Sequence, residues 1–241
     1  MKEILYQQLS LDYCCPVEEV TDGKNHFHIY TPLEGRRRFG EDGTCFLKVV
    51  SLRNKLLFAG EPEILEWCKE QYGSFSGEWF MEPKTILPLN EKLKEFGKSV
   101  THLHPFYIAT ERSPIHEVDY DIVIYRDEEI EQFRGDPRMR EAYSFQPQAP
   151  DRIGAGAWKD GRLLGMAGAS ADSPTMWQIG INVEPEAEGL GIGPELVARV
   201  KNEVLDMGIL PYYGTAVSHI NSQRVAQKAG FVPAWCELAT S

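Results

Sequence analysis

Apolar and polar positions alternate in short runs through the first half of this 241-residue chain and settle into a more regular order in the second. Lys24-Asn25-His26-Phe27-His28-Ile29-Tyr30 alternates as a half-buried strand does; the residues before it carry no decisive pattern. Residues 45–50 and 55–59 form a hairpin-like pair around a Ser-Leu-Arg-Asn turn. Pro62 is placed for the first turn of a helix whose apolar stripe is Ile64, Leu65, Trp67 and Cys68. A stretch rich in aromatics and turns, 72–89, precedes a second helix near 90–97 that carries Leu93 and Phe96. Residues 103–110 read as a strand interrupted by Pro105, and 110–118 is polar and proline-bearing, as a domain linker would be.

After that linker the order is strand (120–125), helical stretch (126–133), a Gly135-Asp136-Pro137 turn and a second short helix (138–145). Two strands, 153–158 and 163–170, flank Lys159-Asp160-Gly161, a good hairpin signal, and a third follows at 176–183. Gly154, Ala155, Gly156, Ala157, Gly165, Ala167, Gly168 and Ala169 leave so little side chain that something must approach the sheet closely.

Composition narrows the class. Hydrophobic residues at 42% and charged residues at 25% are the balance of an ordinary globular protein, which excludes disorder, collagen and coiled coil for the whole chain. No apolar run approaches the ~18 residues of a membrane helix, and the N-terminus, with Glu3 and Asp12, is unlike a secretory signal, so the cytoplasm is the expected compartment and no membrane partner is expected. The net charge of −11 argues against a nucleic-acid partner, since phosphates demand a basic face. The excess is uneven, −3 over residues 1–112 and −8 over 113–241, which weakly favours a cationic small molecule over an anionic one.

Candidate chemistry in the first half is thin. The five cysteines, at 14, 15, 45, 68 and 236, are odd in number, match no zinc spacing and read as reduced thiols, with Cys68 in the core. His26 and His28 share a strand face and suit a metal, but no third ligand lies nearby in sequence, so a solvated strand face is the expectation and no metal is assigned. Arg36-Arg37-Arg38 after Gly35 could grip a phosphate or carboxylate, or form a solvated loop tip.

The specific signal is strand, glycine loop, helix. Gly189, Gly191 and Gly193 alternate, Pro194 sits where a helix starts, and Glu195 complements the helix N-terminus. Leu196, Val197, Val200, Val204 and Leu205 make one apolar face, and Gly208 is a natural C-terminal cap. Glycines at a helix N-terminus leave converging amides that no Cβ shields, which suits a pyrophosphate. A dinucleotide fold wants glycine where Glu195 or Leu196 stands, and the Walker pattern lacks its Gly-Lys-Ser/Thr.

Val183-Glu184-Pro185-Glu186-Ala187-Glu188-Gly189-Leu190-Gly191-Ile192-Gly193 resembles the Val-x-Pro-x-x-Arg-Gly-x-Gly-x-Gly loop of the GNAT superfamily of acyl-CoA N-acyltransferases. The rest of that signature is matched by a strand at 210–217, a helix at 221–229, Gly230-Phe231 and a last strand at 233–238. The resemblance covers about 117–241 and is similar to a bacterial subgroup with an extra N-terminal domain. It implies an α/β (α+β) fold with a mixed, mostly antiparallel central sheet whose fourth and fifth strands splay apart, over 117–241, preceded by a smaller α/β domain, 1–112, of unknown role.

The same resemblance implies the chemistry: transfer of an acetyl or other acyl group from acetyl-CoA to the amine of a small molecule or peptide, with no metal. A homodimer is compatible with it. The alternative is a catalytically weak coenzyme A-binding sensor or interaction module. By resemblance, Ile181, Asn182, Val183, Glu188, Gly189, Leu190, Gly191, Ile192, Gly193, Asn221, Ser222 and Arg224 are the expected cofactor-binding residues, with the Val183 amide polarising the acyl carbonyl. Glu188 stands where Arg or Gln is usual, His219 where many members carry Asn, and Ala226 where many carry the tyrosine that protonates the leaving thiolate. Tyr213 and His219 are therefore the candidate catalytic residues, and one of the adjacent Tyr212 and Tyr213 must face away from the other.

Overall fold

The computed structural model describes residues 1–38 and 44–241. Ten strands form one sheet: β1 (His26–Ile29), β2 (Leu47–Leu52), β3 (Lys55–Gly60), β4 (Val100–Ile108), β5 (Asp121–Arg126), β6 (Asp151–Lys159), β7 (Arg162–Ser170), β8 (Met176–Val183), β9 (Leu210–Gly214) and β10 (Val232–Thr240). Their spatial order is β1-β3-β2-β10-β4-β9-β8-β7-β6-β5. All neighbours are antiparallel except β1 with β3 and β8 with β9. The mixed, mostly antiparallel sheet is as expected, but it does not stop at the expected boundary. β4, from the first half, lies between β9 and β10 of the second and pairs with both.

Six α-helices cover the sheet among the described residues: α1 (Lys2–Asp12), α2 (Val17–Thr21), α3 (Pro62–Tyr72), α4 (Pro83–Lys94), α5 (Ile192–Asp206) and α6 (Ile220–Lys228). Strand alternation sorts them. Ala155, Ala157, Ala167, Ala169, Ile179 and Tyr213 pack with α5 and α6, and Val49, Phe58 and Leu238 with α3 and α4. The neighbouring residues Val50, Leu57, Tyr212 and Trp235 face the other way, onto α1.

The glycines of β6–β8 explain themselves on that second face. A Cβ on Gly168 would meet the Ala142 carbonyl oxygen at 2.2 Å, one on Gly180 the Glu141 oxygen at 1.7 Å, and one on Gly154 the Tyr143 hydroxyl at 1.7 Å. The expected close approach is therefore made by the segment around 139–145. That segment is not the second short helix expected over 138–145; only Pro137–Met139 makes a 3-10 turn. Asp127–Phe133 is likewise 3-10 rather than α. Closeness to the sheet leaves no room for a helix's radius there.

Other departures have local causes. α4 begins at Pro83, well before residue 90, because prolines at its first turn and at 88 disguised the pattern. Pro105 does not interrupt β4: it pairs with Cys236 on one side and lies just beyond the β9 pairing on the other, where a missing N–H costs little. The hairpin turn is tighter than expected, Arg53-Asn54 alone, with Arg53 at φ 59°. β9 ends at Gly214, short of 217. Asp160 and Gly161, both at positive φ, make a two-residue turn within the expected Lys159-Asp160-Gly161, Lys159 itself pairing with Arg162.

The polar stretch 110–118 runs along α5 as a strap. Asn202 exchanges two 2.9 Å hydrogen bonds with the Ser113 backbone, and Lys201 Nζ donates to the Glu111 carbonyl at 3.0 Å. His116 Nδ1 lies 3.0 Å from Glu195 Oε2. These partners explain how Glu195, Lys201 and Asn202 are buried on a helix of otherwise apolar inner face. Lys201 is pushed down to about 8, chiefly by burial.

Candidate functional site

β8 and β9 are hydrogen-bonded neighbours only from Met176↔Leu210 to Gln178↔Tyr212. Beyond that the strands part, and residues of both line a cleft of about 1670 Å³. That exceeds the ~300–1,000 Å³ usual for one drug-sized ligand, so it has room for a long cofactor and a second molecule. The parting exposes backbone. Glu184 gives its amide to Leu164 on the β7 side, so by alternation the amides of Val183 and Ile181, beyond the last β9 pairing, point into the gap.

At one end of the cleft lies the glycine loop. Gly189 and Gly191 have φ of 79° and 81°, conformations that any side chain would strain, and Gly191 is the N-cap of α5. The amides of Gly189, Gly191, Ile192 and Gly193 find no acceptor among the described residues. With the helix dipole behind them they form a backbone site for an anion. Arg224 and Lys228 on α6 line the same end.

Among the expected site residues, Ile181, Val183, Glu188, Gly189, Gly191, Ile192, Gly193, Tyr213, His219, Asn221, Ser222 and Arg224 all line this cleft. Two do not. Asn182 turns away, its Oδ1 accepting from the amides of Glu141 at 2.9 Å and Ala142 at 2.8 Å, so it ties the 139–145 segment to β8. Leu190 is the exposed tip of the loop. Asn221 does not cap α6; His219 occupies that position, without a side-chain capping bond.

Tyr212 and Tyr213 face opposite ways, as adjacent strand residues must. The Tyr213 ring is buried toward α6, its hydroxyl 2.9 Å from Ser222 Oγ, one turn before Ala226 on the same helix face. Burial raises its pKa, so it stays a neutral proton donor. Tyr212 points to the other face. Its hydroxyl donates to Asp172 and lies 3.1 Å from Gln178 Oε1, at the point where the strands part. Asp172 is fully buried, also accepts from Ser170 Oγ at 2.8 Å, and is pushed up to about 7 by burial.

The Arg36-Arg37-Arg38 run is no solvated tip at its centre. Arg37 is largely covered, its side chain 11% exposed, pairs with Asp12 at 2.5 Å and with Glu237, and its guanidinium lies 5.5 Å from the Tyr212 ring centre and 5.4 Å from that of Trp235. Arg37, Asp12 and Glu237 all line the cleft, so the first 38 residues build one of its walls. Sequence reasoning marked the arginines but gave no sign that Asp172, Gln178 and Arg37 would meet Tyr212. The lining holds as many lysine and arginine side chains as carboxylate side chains among the described residues.

Comparison with known proteins accords with this geometry. Residues 122–231 match the model of the acetyltransferase (GNAT) family. Among solved structures, a GCN5-related N-acetyltransferase-like protein from Streptococcus suis is similar at 14% identity, covering 80% of this chain and 83% of that one, with a TM-score of 0.48. A GNAT-family acetyltransferase from Novosphingobium aromaticivorans is similar at 20% identity over 60% of this chain and 66% of that one, TM-score 0.46. An aminoglycoside N-acetyltransferase in complex with CoA is similar at 23% identity over 46% of this chain and 91% of that one, TM-score 0.34. No curated protein matches the chain. The glycine loop, the splayed strands and the Gly-Phe ending all fall within residues 122–231, the segment that matches the GNAT family of acetyltransferases.

Proposed function

We propose that the protein transfers an acetyl or other short acyl group from acetyl-CoA to an amine of a small molecule or peptide. The observation that carries this reading is the parting of β8 and β9 after Gln178 and Tyr212, which opens a cleft from the α5 N-terminus to the far face of the sheet. Bound acetyl-CoA supplies a thioester-activated acyl group. The amides of Gly189, Gly191, Ile192 and Gly193 hold its pyrophosphate, with Arg224 and Lys228 near its phosphates. The Val183 amide, pointing into the gap, polarises the acyl carbonyl.

Two proton movements remain. With Ala226 unable to donate, the Tyr213 hydroxyl protonates the departing sulfur and draws a replacement proton along Ser222. On the opposite side the incoming amine gives its proton to the Tyr212 oxygen as the Tyr212 proton passes to Asp172. A carboxylate pushed up to about 7 suits that task near neutral pH. Glu188, exposed at the rim, leaves anion binding to the backbone amides.

The acceptor is a small or peptide amine with no demanded net charge, and the cytoplasm is its expected place. The test is thiol release from acetyl-CoA over a panel of amines. Amine-dependent release that falls in Tyr213→Phe supports transfer. Saturable coenzyme A binding without release across the panel supports a cofactor-binding module instead; the absence of a tyrosine at Ala226 is the observation favouring that second reading.

A further inference from the structure

His26 and His28 leave β1 on one face, and their sequence neighbourhood offers them no third ligand. The fold supplies one. Cys15 Sγ, from the turn after α1, a Glu19 carboxylate oxygen, from α2, and a His28 ring nitrogen lie within 4.8 Å of one another. His28 Nε2 is 2.6 Å from Glu19 Oε2, and His26 Nδ1 is 3.2 Å from the same oxygen. His26 Nε2 in turn lies 2.8 Å from Asp22 Oδ2. Cys15 is 6% exposed, and among the described residues no other residue hydrogen-bonds its thiol.

We propose that Cys15, Glu19 and His28 bind a divalent transition metal of the zinc class, with a fourth position left to water. The set of one thiolate, one imidazole and one carboxylate is zinc-like, and the sulfur disfavours magnesium and calcium. Thiolate and carboxylate together balance the two charges of the ion. In a tetrahedral site the ligand atoms stand about 3.3–3.6 Å apart. His28 Nε2 and Glu19 Oε2 therefore part by less than about 1 Å, and the thiol closes from its place within 4.8 Å of both.

His26, bonded to the same carboxylate, orients Glu19 from outside the coordination shell. Lys55 Nζ donates to the Glu19 carbonyl and to Asp22 Oδ1, the latter at 2.9 Å, and so fixes α2 against the sheet. Its positive charge favours the thiolate but opposes a dication, which keeps the affinity moderate. Because such ligands bind a metal in their deprotonated forms, affinity rises with pH. None of the three ligands lines the cleft; the ion clamps α2 to the edge strand β1 and takes no part in acyl transfer.

Cobalt titration of the full chain tests this. One equivalent of Co²⁺ should give a thiolate-to-metal band in the near ultraviolet with tetrahedral visible bands. Cys15→Ser should remove the near-ultraviolet band, while Cys14→Ser, whose sulfur instead donates to the Thr31 carbonyl, should keep it. His26→Asn should weaken binding by about 10-fold to 100-fold. Zn²⁺ should raise the Tm of the parent but not of Cys15→Ser, with far-UV circular dichroism confirming that the variant folds. If that variant does not fold, His28→Gln decides: undiminished cobalt affinity overturns the site. Absence of a thiolate band in the parent, or its survival in Cys15→Ser, also overturns it.

Discussion

The two ends of the cleft are made of different material. The α5 end is backbone: four amides on a glycine loop whose conformation needs only local residues. The far end is side chain: Tyr212, Gln178 and Asp172 from the sheet and its edge loop, with Arg37, Asp12 and Glu237 closing over them. A backbone site is written in consecutive residues and tolerates most changes around it. A side-chain site depends on four distant segments and on the charges each brings into a buried place, so single changes there act through stability and pKa as well as contact.

Six changes test that contrast. At the backbone end, Gly191→Asp puts a carboxylate among the anion-binding amides and should abolish stabilisation by coenzyme A in a thermal shift. Gly191→Ala faces no atom within 4 Å of its new Cβ and should lose only the ~1–2 kcal/mol of a left-handed backbone, keeping binding. Normal coenzyme A stabilisation of the aspartate variant would remove the pyrophosphate from this loop. At the far end, Arg37→Met leaves Asp12 buried, and Glu237 half-buried, without their cation and should cost about 3 kcal/mol in urea unfolding. A loss under about 1 kcal/mol would mean the wall is peripheral to the fold.

Tyr213→Phe sits between the ends. It should lower kcat by about 100-fold with KM for acetyl-CoA nearly unchanged, and Ser222→Ala should do less. An unchanged kcat would move the proton donor elsewhere. The smallest effect is expected at Asp172. Its folded pKa of about 7 lies above the ordinary value of 3.8, so its favourable contribution is complete below pH 4 and is lost as pH rises to about 7. Asp172→Asn should therefore gain stability relative to the parent between pH 5 and pH 8. If Asp172 takes the amine's proton, the same variant also loses the rise in rate through about pH 7. A rate profile with its inflexion intact would leave Asp172 a structural group only.

How far the residues alone disclosed this differs by region. The β6–β7 hairpin, β8, α5 and the Gly230-Phe231 ending stood out because each rests on neighbours in sequence: an Asp-Gly turn, a period of two, glycines before a proline-started helix. α4 was half hidden by its prolines, and the 139–145 segment was misread as a helix because its polar-apolar spacing suits one while its place against Gly168 and Gly180 forbids it. The small residues did foretell a close approach, though not by what. His26 and His28 were visible as a pair, but Cys15 and Glu19 join them only through the packing of α2 on the edge strand.

The order of the second half, its glycine loop and its departures at Glu188, His219 and Ala226 were determined by the sequence itself, since local geometry follows from consecutive residues. Three matters were decided only in three dimensions. β4 enters the sheet between β9 and β10, so the first half completes the second. The Arg37 guanidinium is drawn in beside Tyr212, because Asp12 and Glu237 compensate a charge that would otherwise seek water. Asp172 is carried to a dry position against Tyr212, where burial rather than any neighbour in sequence sets its proton affinity. Partners that are remote in sequence leave no periodic trace along the chain, and only the closing of the sheet brings them together.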